Sequence, residues 1–202
     1  AYCPIVVVPY TDDKDNLLHL NNVITKVAVG SDDTKWGLRA LQIAADFAAN
    51  WGAELDVITV VPGNTNLDDP AQKQKFEDVL DARLESICTT HPDLKIRKSI
   101  VAGRAVETLT KASHTHDIVV VGSCGRGGLT GLLFNSTSQG LLQHSASPVY
   151  VVPRKFVEAE EQRVKTGTAS GTETAEVTSL EEFVREVPVE RASEETERQI
   201  EI

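Results

Sequence analysis

Short apolar runs alternate with amphipathic stretches along the first three quarters of the chain. The runs have the length and the β-branched composition of strands, and they cover residues 23–29, 55–61, 94–101, 117–121 and 149–152. The run at 117–121 is almost wholly apolar, which is typical of a buried parallel strand. Strands that alternate with helices favour a parallel sheet with helices on both faces. We therefore predict an α/β fold with an open, five-stranded parallel sheet.

Four helices are predicted between these strands. In the first, apolar residues recur at helical spacing from Leu38 to Ala48, Asp33 or Thr34 can cap its start, and Gly52 ends it. The other three are predicted at residues 73–88, 105–114 and 136–144.

A further proline-bounded run lies near the start of the chain. Residues 3–9 read C-P-I-V-V-V-P and residues 147–153 read S-P-V-Y-V-V-P, with the prolines at the same spacing. The similarity is either a coincidence or an internal repeat, in which residues 3–9 are the last strand of a preceding copy of the same domain. The predicted organisation is a remnant and linker at 1–22, a domain at 23–153 and a tail at 154–202.

The acidic tail at 154–202 differs in composition from the domain. Residues 158–177 are rich in Glu, Thr, Ser, Ala and Gly, which is typical of a flexible segment. Leu180, Phe183 and Val184 have helical spacing, which predicts a short amphipathic helix at about 179–187. That helix either docks on a partner or stays solvated.

The charge and hydropathy of the chain argue against several functions. The net charge of -10 leaves no basic excess for binding nucleic acid or an anionic membrane surface. No apolar run reaches the roughly 18 residues that a membrane span requires. The three cysteines, Cys3, Cys88 and Cys124, are scattered, which argues against a disulfide framework and a zinc site. We therefore expect a cytoplasmic protein without a metal centre.

A glycine-rich loop follows the most apolar strand. The run at 118–121 stops at Gly122, further glycines stand at positions 125, 127, 128 and 131, and a polar cluster at 135–138 opens the next helix. Glycines let a backbone approach a ligand closely, and the free N–H groups at a helix start favour an anion. The pattern indicates a phosphate cradle, and the alternative is an ordinary connection followed by a polar helix cap.

The spacing within this loop resembles a known signature. Gly122 and Gly125 are followed by nine residues and then by Asn135 and Ser136. This resembles the G-x2-G-x9-G-[S/T] nucleotide-binding signature of the universal stress protein family, with Asn135 at the third glycine. Further matches are V-A-V-G-S-D-D-T, G-R-A-V-E, D-I-V-V-V-G and S-P-V-Y-V-V-P, and together they span residues 23–153. The resemblance implies the family's Rossmann-type fold, similar to that of the adenine nucleotide α-hydrolases, here with an extra N-terminal strand. It also implies that this is the second domain of a tandem protein.

By the same resemblance, the chain binds ATP or a related adenine nucleotide, with or without Mg²⁺, at the carboxyl ends of the first and fourth strands of the domain. Asp32 would contact the nucleoside, or alternatively merely cap the next helix, and the backbone at Val60 would line the base pocket. Arg126 could pair with a phosphate, because a guanidinium fits phosphate oxygens. The implied binding residues are Ser31, Asp32, Val60, Val121, Gly122, Gly125, Arg126, Asn135, Ser136, Thr137 and Ser138.

The sequence favours binding over catalysis, and we predict no catalytic residues. It contains no G-x-S-x-G elbow and no Walker lysine after the glycines. The leading hypothesis is a nucleotide-binding sensor that acts as a regulatory module in a stress response. The second is a structural or regulatory module without a nucleotide, for instance the cytoplasmic part of a membrane transporter. The third is a weak ATP hydrolase.

Members of the family pair through their last strands, so the resemblance also implies partner strands in this chain. They are Val149, Tyr150, Val151 and Val152 in one strand and Ile5, Val6, Val7 and Val8 in the other. The two strands could pair within one chain, as tandem domains do, or across a homodimer.

Overall fold

The computed structural model describes residues 3–9, 23–123 and 136–165. The amphipathic helix predicted at about 179–187 lies outside these ranges, as do Gly125, Arg126 and Asn135 of the predicted site.

Strands and helices alternate through the described ranges. The strands are β1 (Ile5–Val7), β2 (Lys26–Gly30), β3 (Glu54–Val61), β4 (Ile96–Ala102), β5 (Ile118–Gly122) and β6 (Val149–Val152). The helices are α1 (Lys35–Trp51), α2 (Pro70–Thr90), α3 (Ala105–Ser113), α4 (Ser136–His144) and α5 (Arg154–Lys165). Among these helices, none has both the length and the apolar character needed to cross a bilayer.

The strands form one sheet in the order β1-β6-β5-β2-β3-β4. Strands β2 to β6 are parallel, and β2 lies between β3 and β5. The chain therefore leaves β2 toward one side of the sheet and later returns on the other side, so that a crevice opens at the carboxyl end of β2. The predicted α/β fold with a five-stranded parallel sheet is confirmed.

The extra N-terminal strand is β1, which lies at one edge of the sheet. It pairs antiparallel with β6, with Ile5 opposite Val151 and Val7 opposite Val149. Val8, which we had included in this strand, follows β1 and is not part of it. The pairing within one chain, one of the two predicted arrangements, is therefore present in this structure.

The two faces of the sheet are covered by different helices. On one face, Leu109 of α3 and Leu141 of α4 pack against Val119 of β5 in a buried apolar cluster. On the other face, α1 turns a buried stripe toward β2 and β5 that includes Leu41 and Ala48. Small alanines on this stripe let the helix lie close to the sheet. The sheet is thus buried on both faces, as the near-continuous apolar runs of its central strands require.

Helix α2 starts earlier than its apolar spacing predicts. It begins at Pro70 instead of residue 73 and continues to Thr90. A carboxylate oxygen of Asp69 accepts a hydrogen bond from the Ala71 N–H at 3.0 Å, and proline suits the first helical position because it has no N–H to leave unpaired. The cap and the proline therefore extend the helix beyond its apolar face.

The start of the tail differs from the prediction. The sequence predicts a largely flexible tail from residue 154, whereas residues 154–165 form α5, which packs on α1. Val157 is only 5% exposed, and Glu160 accepts two hydrogen bonds from Arg39 at 2.8 and 2.6 Å. The composition of the tail did not predict this helix, because the helix depends on a contact with Arg39, which stands 121 positions from Glu160 in the sequence.

A buried polar cluster joins β3, β4 and the segment before β5. Asp56 and His116 form an ion pair at 3.5 Å, and both side chains are 11% exposed. Ser99 donates a hydrogen bond to Asp56 at 2.9 Å, and Nδ1 of His116 lies 2.9 Å from the Ala112 carbonyl. Asp56 lies in the first half of β3, so this cluster is at the opposite end of the sheet from the crevice.

Gly140 lets α3 and α4 pack closely, and we expect Gly140→Ala to lower the free energy of unfolding by about 1 kcal/mol. A Cβ at this position would lie 2.8 Å from Cγ1 of Val106, so the two helices would have to move apart. A urea titration would measure the change. The double variant Val106→Ala/Gly140→Ala is the control, because it removes the clashing methyl groups. If Gly140→Ala alone were as stable as the parent, the contact between the helices would not be tight.

Candidate functional site

Two adjacent strands end side by side at one edge of the sheet. Val27 of β2 pairs with Ile118 of β5, and Val29 pairs with Val120. Because the carboxyl ends of parallel strands meet at one edge, the segments that follow Gly30 and Gly122 lie close together there. A cleft opens at this point, bordered by the first turns of α1, α3 and α4.

The cleft contains six of the predicted site residues. They are Ser31, Asp32, Val60, Val121, Gly122 and Thr137. The remaining lining residues are Gly30, Gly37, Ile58, Ala105 and Leu109. The structure thus brings the ends of β2, β3 and β5 to one place, as we expected from the parallel sheet.

The other predicted residues have different positions. Ser138 is fully buried in α4 and is not part of the lining. Ser136 is the first residue of α4. Gly125, Arg126 and Asn135 lie outside the described residues, so their part in the site stays a prediction.

Asp32 has two roles in the geometry of the cleft. It is part of the lining, and its Oδ1 atom accepts hydrogen bonds from the N–H of Thr34, at 3.1 Å, and from the Thr34 hydroxyl. Thr34 in turn caps α1 by accepting a hydrogen bond from the Gly37 N–H at 3.1 Å. Asp32 therefore faces the cleft but does not itself cap α1, the alternative that the sequence left open, because the cap is Thr34, which Asp32 holds in place.

The absence of a side chain at Gly37 leaves room for the Asp32 carboxylate. A Cβ at position 37 would lie 2.1 Å from Oδ1 of Asp32. A glycine inside a helix is less favourable than alanine by about 1 kcal/mol, so this position calls for a reason. The reason here is that the carboxylate occupies the space of the missing side chain. Gly37 was not among the predicted site residues, although a glycine within a predicted helix was a usable signal.

Ser31 carries a buried hydroxyl group at the cleft. The residue is 4% exposed, and its backbone N–H donates to the Ile58 carbonyl at 2.9 Å. Within the part of the chain that the structure describes, its Oγ atom has no hydrogen-bond partner. A buried polar group of this kind requires an explanation, and a bound ligand with a polar atom would provide one.

Gly122 lies against the first turn of α1. A Cβ at this position would approach the Trp36 carbonyl oxygen to 3.3 Å. The next residue, Ser123, is 4% exposed and donates from its backbone N–H to the Val152 carbonyl at 2.9 Å. The start of the glycine-rich loop is therefore held between α1 and the end of β6.

The first turns of three helices border the cleft. Gly37, Ala105 and Thr137 belong to the first turns of α1, α3 and α4, and all three line it. Free backbone N–H groups and the positive ends of helix dipoles favour a negatively charged ligand. In the described ranges, no group of three or more His, Cys, Asp or Glu side chains comes together to hold a metal ion. The described lining thus combines three helix starts with the hydroxyl groups of Ser31 and Thr137 and the carboxylate of Asp32, while the Gly37 N–H is already bonded to Thr34.

A comparison with models of protein families identifies the family to which this fold and cleft belong. The model of the universal stress protein family matches residues 24–153, which include every described strand except β1. The chain belongs to the universal stress protein family. Helix α5 lies beyond the matched residues.

The curated relatives that this chain matches are about twice as long as the segment they share with it. A universal stress protein of Mycobacterium tuberculosis is 34% identical over 159 residues, which are 75% of this chain and 52% of the relative. A second one from the same organism is 31% identical over 160 residues, which are 75% of this chain and 51% of that protein. The chain therefore spans about half the length of these relatives.

Solved structures of universal stress proteins share the fold. One is UspA of Lactobacillus plantarum, with a TM-score of 0.57 and 20% identity, and the match covers 65% of this chain and 99% of that one. Another is a universal stress protein in complex with cAMP, with a TM-score of 0.53 and 23% identity, covering 64% and 97%. A third, from Pseudomonas aeruginosa, has a TM-score of 0.54 and 18% identity, covering 82% and 58%.

Proposed function

We propose that this universal stress protein domain binds ATP or a related adenine nucleotide in the cleft at the carboxyl ends of β2 and β5. Binding orders the site and changes the affinity for a partner, so that the domain acts as a sensor in a stress response. Its role is regulatory and not catalytic. It acts in the cytoplasm, as the composition of the chain leads us to expect.

The buried hydroxyl group of Ser31 is the observation that carries this proposal. It lines the cleft next to Asp32 and has no partner among the described residues. A nucleoside offers both donors and acceptors, so one ligand can satisfy the hydroxyl of Ser31 and the carboxylate of Asp32. The first turns of α1, α3 and α4 at the same cleft favour the phosphate groups of such a ligand.

A relative supports the choice of ligand class. The solved universal stress protein with a TM-score of 0.53 is a complex with cAMP, an adenine nucleotide. Which adenine nucleotide this chain binds, and whether Mg²⁺ accompanies it, depends on the loop that contains Gly125, Arg126 and Asn135. We propose ATP because the spacing of the glycines matches the family's signature.

A second function is favoured by one position in the sequence. Asn135 stands where the family signature has its third glycine. If a side chain there prevents the loop from closing around phosphates, the domain is a regulatory module that works without a nucleotide. Association with a membrane transporter, pairing as a homodimer and an arrangement as the second of two tandem domains are further proposals of this kind.

Calorimetric titration of the full chain with ATP tests the leading proposal, and we expect binding in the micromolar range. We expect Asp32→Asn to weaken it about fivefold, roughly 1 kcal/mol, because the amide keeps the bond to Thr34 but removes the charge and one acceptor. Asp46→Asn is the matched control, since Asp46 pairs with His91 on the surface. Absence of binding to ATP, ADP and cAMP would contradict the proposal and favour the module without a nucleotide.

A further inference from the structure

Helix α5 contacts two of the walls of the cleft, although it lies beyond the residues that the family model matches. One wall is the first turn of α1, which includes Gly37, and the other is the end of β5 at Gly122. We infer that α5 is a positioning element for the ligand site, which holds these two walls at the separation that the ligand requires. The inference rests on the proposed function, because it concerns the affinity of the same cleft.

The contact between α5 and α1 includes two ion pairs and a contact between a guanidinium and an aromatic ring. Arg39 donates two hydrogen bonds to the carboxylate of Glu160, at 2.8 and 2.6 Å, and Lys35 pairs with Glu161 at 2.7 Å. The Arg39 guanidinium also lies 6.0 Å from the centroid of the Phe156 ring. A two-pronged arginine–carboxylate pair has a defined geometry, so it fixes the orientation of α5 on α1 as well as its position.

The contact with the end of β5 includes a hydrogen bond from the start of α5. Its first N–H group, at Arg154, cannot bond within the helix, and it donates to Oγ of Ser123 at 2.9 Å. Ser123 directly follows Gly122, which lines the cleft. The guanidinium of Arg154 lies 5.4 Å from the centroid of the Trp36 ring, so the same end of α5 also covers the first turn of α1.

These contacts add to the direct packing of Gly122 against Trp36, which already joins the two walls. Gly122 approaches the Trp36 carbonyl. Helix α5 bonds to Ser123, which follows Gly122, and to Arg39, which follows Trp36 in α1. Because Arg154 bonds to Ser123 while Glu160 and Glu161 bond to α1, we expect loss of either attachment to loosen the two walls relative to each other. By linkage, a ligand that requires both walls in place must also hold α5 in its docked position.

The test uses point variants of the full chain and ATP as the probe. We expect Glu160→Lys to weaken ATP binding about fivefold, since it replaces the paired carboxylate by a cation that repels Arg39. The swap Arg39→Glu/Glu160→Lys should restore most of the affinity, which a general loss of structure would not allow. Ser123→Ala, which removes the acceptor at the other wall, should weaken binding about threefold.

The matched control is Glu54→Lys. Glu54 pairs with Arg97 at 3.0 Å and its side chain is 34% exposed, against 35% for Glu160, but it lies at the start of β3, away from the cleft. It should leave ATP affinity unchanged. As a second readout, saturating ATP should slow amide hydrogen exchange in α5 of the parent chain and much less in Glu160→Lys.

The outcomes separate the two proposals. A parent chain that binds no ATP, ADP or cAMP would overturn both the proposed function and the role of α5. A parent chain that binds ATP, together with unchanged affinity in Glu160→Lys and Ser123→Ala, would overturn the role of α5 alone. Equal losses in Glu160→Lys and in the charge swap would also overturn it, because the pair would then not be what holds the site.

Discussion

Asp56→Ala is expected to lower the free energy of unfolding by about 3 kcal/mol, the low end of the range for breaking a buried ion pair. Asp56 and His116 are 11% exposed and pair at 3.5 Å, so removing the carboxylate leaves a buried imidazole without its partner. Ser99 also loses the acceptor of its hydroxyl group. A urea titration at pH 6 would measure the loss. A change below 1 kcal/mol would mean that the pair contributes no more than an exposed one.

The same pair makes stability depend on pH in a defined direction. The carboxylate of Asp56 and the Ala112 carbonyl raise the pKa of His116 above 6.5, and together they outweigh burial and Lys26, which lower it. Burial raises the pKa of Asp56, but the interactions with His116, Ser99 and Arg97 outweigh it and hold that pKa below 3.8. A raised histidine pKa contributes stability that is complete below pH 6.5 and lost as pH rises through the folded-state value. A lowered carboxyl pKa contributes stability that is complete above pH 3.8 and lost as pH falls through its folded-state value.

The contribution of the pair is therefore complete only between about pH 4 and pH 6.5. Unfolding measurements at pH 6 and pH 8.5 should show that His116→Gln loses less stability over this interval than the parent chain. Glu54→Gln, which breaks an exposed pair with Arg97, is the control and should keep the pH dependence of the parent. An unchanged pH dependence in His116→Gln would show that another group titrates.

The parallel sheet could be predicted because its signals are local. Each strand is a short apolar run, and the runs alternate with helical spacing, so no distant contact was needed to deduce the order of elements. The position of Ser31 and Asp32 at the cleft follows from the same reasoning, because carboxyl ends of parallel strands share an edge. Thr34 and Gly52 cap α1 as their residue types predict.

The features that could not be predicted depend on contacts between distant residues. Leu109 and Ala105 reach the cleft because α3 crosses the sheet beside β2, which no local pattern encodes. Helix α5 has a strongly charged composition, and its docking depends on Arg39, far away in the sequence. The burial of Asp56 next to His116 likewise requires β3 and the start of β5 to be in place. Local composition therefore predicted the strands, but it did not predict the ordered helix α5 or the buried Asp56, which depend on ion pairs between distant residues.

Ser31→Ala is expected to change stability and binding in opposite directions. The hydroxyl of Ser31 is buried and has no partner among the described residues, so its removal should raise the free energy of unfolding of the ligand-free chain by about 1 kcal/mol. If that hydroxyl bonds to the nucleotide, the same substitution should weaken ATP binding about tenfold, roughly 1.4 kcal/mol. Urea unfolding and calorimetric titration of one preparation would measure both quantities.

Ser147→Ala provides the matched control for this opposition. Ser147 is 7% exposed and its hydroxyl also lacks a partner within the described ranges, but it precedes β6, at the opposite end of the sheet from the cleft. We expect a similar gain in stability from Ser147→Ala and no change in ATP affinity. If both substitutions raise stability but only Ser31→Ala weakens ATP binding, the Ser31 hydroxyl is a group that bonds to the ligand. If Ser31→Ala bound ATP as tightly as the parent, the buried hydroxyl would not be part of the nucleotide site.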